Sequence, residues 1–217
     1  MSKQSVAPNI PVNAALDSSM PAIPAETYMR YAELLEQRIE GKQHLTEDSV
    51  RYAFFFAVLQ TTSIQQQEII LELPHPKLPG KEVDTYIQPA GNRQEIFIEF
   101  KFHRTSASSS PKPQKAGSLF KDISRLSSIK TAERRCLVVY LTCSEMAKYF
   151  EKNETAYSSF WHHPTGGEFI YDDTFLEKTT DTFRRANSDL HKARVHVVHS
   201  APLSRGYHLR VFEVQRI

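Results

Sequence analysis

Tyr28, Tyr31, Leu34, Leu35 and Ile39 recur at three- and four-residue intervals, and Gly41 follows directly. That period predicts an amphipathic helix over 25–40 with a glycine at its C-terminal end. A second helical stretch runs from a cap at Thr46 to about residue 60. Val50, Phe54 and Val58 form its stripe, and Ala53, Phe55, Phe56 and Ala57 widen it. Glu47 and Asp48 suit the first turn, where the helix dipole favours negative charge. A helix this apolar is expected to lie against a sheet. The pattern then changes to the short β-rich runs of strands. One is 68–73, ended by Pro74-His75-Pro76; two more, 81–88 and 94–103, flank the turn cluster Pro89-Ala90-Gly91-Asn92-Arg93 and read as a hairpin.

Residues 104–117 carry Ser, Pro, Lys and Gln without apolar anchors and read as a flexible basic loop. Ser118 is the expected cap of a helix with Leu119, Ile123 and Leu126 inward and Lys121, Asp122 and Arg125 outward. The nearly continuous apolar run at 134–142 suits a strand buried on both faces. Further on come a helix capped by Ser144, an aromatic loop at 157–164, a weaker helix over 173–187 and two strands near 194–199 and 208–214. Between 46 and 142 the order is therefore helix, three strands, helix, strand. A right-handed crossover is expected to join the third and fourth strands in one mixed sheet with helices on both faces.

Alternation along 96–103 divides the third strand. Ile96, Ile98, Phe100 and Phe102 share one face; Phe97, Glu99, Lys101 and His103 share the other. In the preceding strand Asp84 lies between Val83 and Thr85, on the face of Tyr86. Pairing that sets Asp84 opposite Glu99 would bring two carboxylates and an ammonium together in a half-buried sheet. Close carboxylates repel unless a cation lies between them, and oxygen ligands on a rigid sheet suit a hard divalent ion. The bland alternative is a surface Glu–Lys pair two residues apart, as at Glu40 and Lys42.

Charge is unevenly distributed. Residues 1–100 hold 8 Lys/Arg against 13 Asp/Glu, residues 101–135 hold 9 against 2, and the remainder balances. A basic segment directly after Glu99 is where a polyanion would be held, although a solvated helix face would account for part of it. A hydrophobic content of 40% with 24% charged residues is ordinary for a globular protein. No apolar run reaches the ~18–20 residues that span a bilayer. Residues 1–24, with four prolines, read as a flexible arm preceding one domain over 25–217. Cys136 and Cys143 flank one strand, too far apart to bridge locally, so reduced thiols and a cytoplasmic setting are expected.

With these residues in view, the chain resembles the PD-(D/E)XK nuclease superfamily. The resemblance rests on the element order over about 46–142 and on Val83-Asp84 preceding Glu99-Phe100-Lys101. Residues 46–52 look like the acidic start of that family's first core helix and 117–126 like its second; Val83 stands where the family's name has proline. The resemblance implies a restriction-endonuclease-like three-layer αβα fold with core order αβββαβ. It also implies Mg²⁺ (or Mn²⁺) held by Asp84 and Glu99, with Glu47 joining, and Lys101 assisting the attacking water. Metal-dependent hydrolysis of DNA, or secondarily RNA, would follow, with Arg104, Lys112, Gln114, Lys115 and Arg125 contacting phosphates. An Asp122–Arg125 ion pair competes with the last of these contacts. A double-strand cutter would suit a homodimer. The alternative is a catalytically inactive nuclease-fold module that binds nucleic acid or a protein, with the 157–164 loop as part of its contact surface.

Overall fold

The structure is a computed structural model that describes residues 23–104, 111–129, 134–152, 156–187 and 191–217. The chain forms α1 (Ala25–Glu40), α2 (Glu47–Thr61), β1 (Ile69–Pro74), β2 (Glu82–Ile87), β3 (Glu95–His103), α3 (Lys112–Ser127), β4 (Arg134–Thr142), α4 (Ser144–Glu151), α5 (Tyr157–Trp161), β5 (Glu168–Tyr171), α6 (Asp173–Glu177), α7 (Asp181–Ala186), β6 (Ala193–Leu203) and β7 (Tyr207–Arg216). All seven strands join one sheet in the order β1-β2-β3-β4-β7-β6-β5. Only β3 and β4 pair in parallel. A parallel pair needs a crossover, and α3 lies in the segment between them.

The sheet separates two apolar cores. On one side α1 and α2 bury Tyr31, Leu35, Phe54 and Val58 against Ile96, Ile98 and Phe100 of β3. On the other, α3 to α7 pack Leu119, Phe120, Phe150, Phe160, Phe175 and Phe183 against Phe97, Val138, Tyr140 and Phe212. The result is a three-layer α/β arrangement, and the alternation along β3 divides its side chains between the layers as expected. The cap of α2 also matches expectation. The Thr46 hydroxyl accepts the Ser49 N–H, and the Ser49 hydroxyl accepts the Thr46 N–H.

Other expectations are corrected. Six residues of the supposed loop, 112–117, belong to α3. Pro111 caps it and Pro113 stands in its first turn, where a missing N–H costs nothing; Ser118 is therefore within the helix, and its hydroxyl donates to Lys115 O. Residues 105–110 of that loop lie outside the described residues, as does the N-terminal arm up to residue 22; Ile23 is buried and Pro24 caps α1. The aromatic stretch at 157–164 is not a loop throughout: Tyr157, Phe160 and Trp161 are buried in α5. The helix expected over 173–187 is two short ones, α6 and α7, separately capped by Asp172 and Thr180. Strand β5 has no counterpart in the sequence reading, because four residues are too few to display a period. The residue before α4 is Cys143, with no side-chain cap bond. Both cysteines are free and buried, and burial pushes the Cys136 thiol up to about 12. No helix among the described residues is long and apolar enough to cross a membrane.

Candidate catalytic site

The β2–β3 ladder ends at Thr85 opposite Ile98. Continued by one residue, that register sets Asp84 level with Glu99. The regular alternation fails at this point, because Val83 and Tyr86, of opposite parity, both pack on the α3-side core. On the adjoining β1, Glu72 adopts φ 53°, a left-handed conformation uncommon for a side chain of this kind. Where the ladder stops, the Asp84 carboxylate takes over a backbone donor: Oδ2 accepts the Phe100 N–H at 2.7 Å. Glu47, from the first turn of α2, does the same one peptide pair further on, accepting the Phe102 N–H at 3.1 Å. The two acids thus flank Lys101 along β3, with Glu99 just before the first of them.

Helix α3 completes the cluster. Asp122, expected to face solvent, is buried; it sits three residues after Leu119 and four before Leu126, on the inward stripe. Its Oδ2 lies 3.1 Å from Lys101 Nζ and its Oδ1 3.2 Å from Arg125 Nη2. The Arg125 guanidinium also pairs with Glu99 Oε2. From α2, one turn after Glu47, Arg51 reaches Asp84 at 3.7 Å and Glu72 at 3.8 Å. His75, just past β1, ties this end of α3 to the sheet. Its Nδ1 accepts the Lys77 and Leu78 N–H groups, so Nε2 carries the proton and donates to Arg125 O at 3.2 Å.

Charges held this close change one another. Glu99 is fully buried, and among the described residues neither carboxylate oxygen has a hydrogen-bond partner, Oε2 meeting Arg125 as an ion pair. Burial, reinforced by Asp122 and Asp84 and opposed by Arg125, pushes its carboxyl up to about 9. Burial also raises Asp122, against the pull of Lys101 and Arg125. Burial alone would lower the Lys101 ammonium, but Asp122, Glu47 and Asp84 outweigh it and hold the group above its ordinary value. Lys101 is therefore a fixed positive charge and not a proton acceptor at neutral pH.

Mg²⁺ and Mn²⁺ are implied only by the family resemblance, and the residues present can be tested against them. Glu47, Glu72, Asp84, Glu99 and Asp122 face Arg51, Lys101 and Arg125, so carboxylates outnumber cations by five to three, an excess of two charges only when Glu99 gives up its proton. The donors are all oxygen, and the buried Glu99 Oε1 has no hydrogen-bond partner among the described residues. Among the described residues no group of three or more His, Cys, Asp or Glu is arranged to hold a metal ion, and Glu47 is directed to Phe102 N–H and Lys101. The fit is to an ion that takes two carboxylates, Asp84 and Glu99, and keeps several waters, which is the habit of Mg²⁺.

The residues expected at phosphate divide into two groups. Arg104, Lys112 and Gln114 are exposed and Lys115 is partly so. Arg125 is turned inward onto Glu99 and Asp122. Arg51, Glu72, His75 and Asp122 were missed by sequence reasoning. Two of them had a visible signal: Arg51 stands four residues after Glu47 on one helix face, and Asp122 lies in the apolar stripe of α3. No family model, curated protein or solved structure matches this chain.

Proposed function

We propose that the protein is a divalent-metal-dependent nuclease of restriction-endonuclease-like fold, hydrolysing phosphodiester bonds of DNA at Asp84, Glu99 and Lys101. The observation that carries this reading is Glu99: a fully buried carboxylate with an oxygen that has no hydrogen-bond partner among the described residues, beside Asp84 and Lys101, in a cluster of five acids and three cations. The succession α2, β1-β2-β3, α3, β4 supports the fold, being the core order that the resemblance implies.

Bound at Asp84 and Glu99, Mg²⁺ or Mn²⁺ would supply Lewis-acid polarisation of the phosphate and an activated water. The protein's own groups do the rest. Asp84 is fixed by the Phe100 N–H, so its remaining oxygen has a set direction. Glu99 holds a proton in the cation-free state and gives it up as a cation takes its place. Lys101, charged and anchored by Asp122, is suited to stabilise the negative charge that develops on phosphate oxygens. The α3 N-terminus bears Lys112 and Lys115 and no acid in its first turn. A helix N-terminus favours negative charge, so cations there leave a site for the substrate backbone.

A second reading, a nucleic-acid-binding module without catalysis, draws on Arg125, whose guanidinium already occupies the Glu99 carboxyl group from within the chain. The deciding experiment incubates the purified chain with plasmid, linear and single-stranded DNA and with RNA, with and without Mg²⁺ or Mn²⁺. Metal-dependent cleavage that disappears in Lys101→Ala is the expected result. Cleavage by Lys101→Ala at the wild-type rate would refute the assignment, and metal-insensitive binding without cleavage would favour the module.

A further inference from the structure

Three segments distant in sequence meet beside the C-terminal end of β3, around a cavity of about 360 Å³. They are the α1–α2 connection, the residues just past Lys101, and the turn between β6 and β7. Four of the lining side chains are basic: Lys42, His44, Arg104 and Arg205. None of the four makes an ion pair among the described residues. The nearby Glu36 is already engaged, accepting the Ser204 N–H and hydroxyl and so pinning the β6–β7 turn to α1. Phe102 and Tyr207 supply two aromatic rings, 6.3 Å apart between centroids and inclined by 30°.

The backbone adds an independent observation. Among the described residues only three non-glycine positions have positive φ: Lys42 at 55°, Glu72 at 53° and Arg205 at 56°. One belongs to the carboxylate cluster and the other two are cations of this cavity. Left-handed backbone disfavours side chains of this kind and collects at binding and catalytic sites. Glycine would relieve the strain at either cation, yet would remove the charge. The cavity and the catalytic cluster are also mechanically joined, because the Glu47 carboxylate that lies beside Lys101 accepts the N–H of Phe102.

We propose that this cavity is a subsite for an unpaired nucleotide of a single-stranded nucleic acid, its base against Phe102 and Tyr207 and its phosphates held by Lys42, Arg104 and Arg205. Aromatic faces accept any unpaired base, and cations flanking them track the backbone. A base inside a duplex offers no free face, so the proposal commits to single strands. As part of a substrate path it rests on the nuclease reading, since Phe102 of the cavity directly follows Lys101 on β3.

Binding to labelled oligothymidylate, oligouridylate and a blunt duplex, measured by fluorescence anisotropy in EDTA across a salt series, tests the cavity apart from catalysis. The full chain is expected to bind the single strands more tightly than the duplex, and the two oligomers tell DNA from RNA. Tyr207→Leu should weaken binding about tenfold. Lys42→Gly with Arg205→Gly should flatten the slope of log affinity against log salt by about 0.7 per cation removed, while the melting temperature holds or rises. Variants that bind like the wild type, or a wild type that prefers the duplex, would overturn the subsite and leave the catalytic reading standing. Loss of single-strand binding in these variants, with a wild type that cuts nothing in Mg²⁺ or Mn²⁺, would strike the nuclease reading alone.

Discussion

Helix α3 has two flanks, and they are built on opposite principles. Toward β5 and β7, Phe120 touches Tyr157, Phe160, Phe169, Tyr171, Phe175 and Phe183, with centroid separations of 4.9–6.3 Å. The buried cation on that side of the sheet, Arg210, donates to the carbonyls of Trp161 and His163 and lies over the Trp161 and Phe212 rings, at 4.9 and 5.6 Å from their centroids. Among the described residues no carboxylate pairs with it. Toward β3, two residues from Phe120, the same helix presents Asp122 and then Arg125 to a cluster that includes a buried, under-partnered Glu99 and a left-handed Glu72. One flank supplies packing, and the other gives up part of it to a cluster of buried charges, the kind of local conflict that collects at functional sites.

The largest contrast is expected from mutation of the two flanks. Glu99→Gln keeps shape and removes the ionisable oxygen, so metal-dependent cleavage should fall by about 10³-fold or more, the several kcal/mol a Lewis acid contributes. Lys101→Ala should cost about 10²–10³-fold in turnover, as loss of a transition-state charge partner does. Phe120→Leu should behave inversely, losing about 1–3 kcal/mol of stability with cleavage per folded molecule near wild type. Denaturant titration and single-turnover cleavage on the same preparations check all three. Equal loss of cleavage in Phe120→Leu would erase the division between the flanks.

The next effect is the response to metal. Cation binding at Glu99 displaces a proton held up to about 9, so affinity should rise with pH through the neutral range. Thermal melts should show Mn²⁺ or Mg²⁺ raising the melting temperature more at pH 8.5 than at pH 6, and Glu99→Gln should abolish the increment. An increment that ignores pH would mean that Glu99 is not the ligand.

Sequence periodicity made one flank of the cluster legible and concealed the other. Alternation over 96–103 was enough to divide β3 into two faces, because a strand buried on both sides must still alternate. It also put Asp84 one hairpin away from Glu99. The contribution of α3 was hidden for a local reason: a charged residue in an apolar stripe is discounted as solvent-facing, and Asp122 was read that way. The early start of α3 was hidden because prolines at 111 and 113 look like loop when they occupy a cap and a first turn. The aromatic flank was misread in the opposite sense. Tyr157, Phe160 and Trp161 follow a short helix without a long period, so nothing in the sequence distinguished a buried turn of helix from an exposed patch.

A smaller effect is the cation-free stability profile, which the two flanks should share unequally. Glu99 is raised from its ordinary 4.5 to about 9 in the folded state. A raised group binds more protons folded than unfolded, so its stabilisation is complete below about pH 4.5 and is lost as pH rises through 9. His103, buried beside Lys101 and Lys115 and bonded to the Tyr140 hydroxyl at 2.9 Å, is lowered to about 3. Its contribution has the opposite sign, complete above about pH 6.5 and lost as pH falls through 3. Without metal, Glu99→Gln should therefore be more stable than wild type at pH 8–9 and should lose that advantage toward pH 5. Replacing His103 with Phe should flatten the acid limb only. Urea midpoints across pH for the two variants separate these contributions.

The smallest expected effect concerns Glu72. Its left-handed backbone lies where the β1–β2 pairing skips from Leu71 and Thr85 to Leu73 and Val83, and its carboxylate is largely exposed, 3.8 Å from Arg51. Glycine at 72 removes the steric penalty of the left-handed conformation, about 1–2 kcal/mol, but adds freedom to the unfolded chain worth about 0.4–1 kcal/mol. The net gain should lie between about 0 and 1.6 kcal/mol, a shift of a few degrees at most. If Glu72 only closes a turn, cleavage will follow stability and hold. If it steers Arg51 away from the Asp84 oxygen needed by the metal, Glu72→Gly will melt later and bind Mn²⁺ more weakly. Glu72→Asn, which tolerates the same φ without the charge, should reproduce the metal effect and not the stability effect. That pairing of outcomes would show the strain on this flank to be kept for the site, since nothing comparable is found among the rings packed on Phe120.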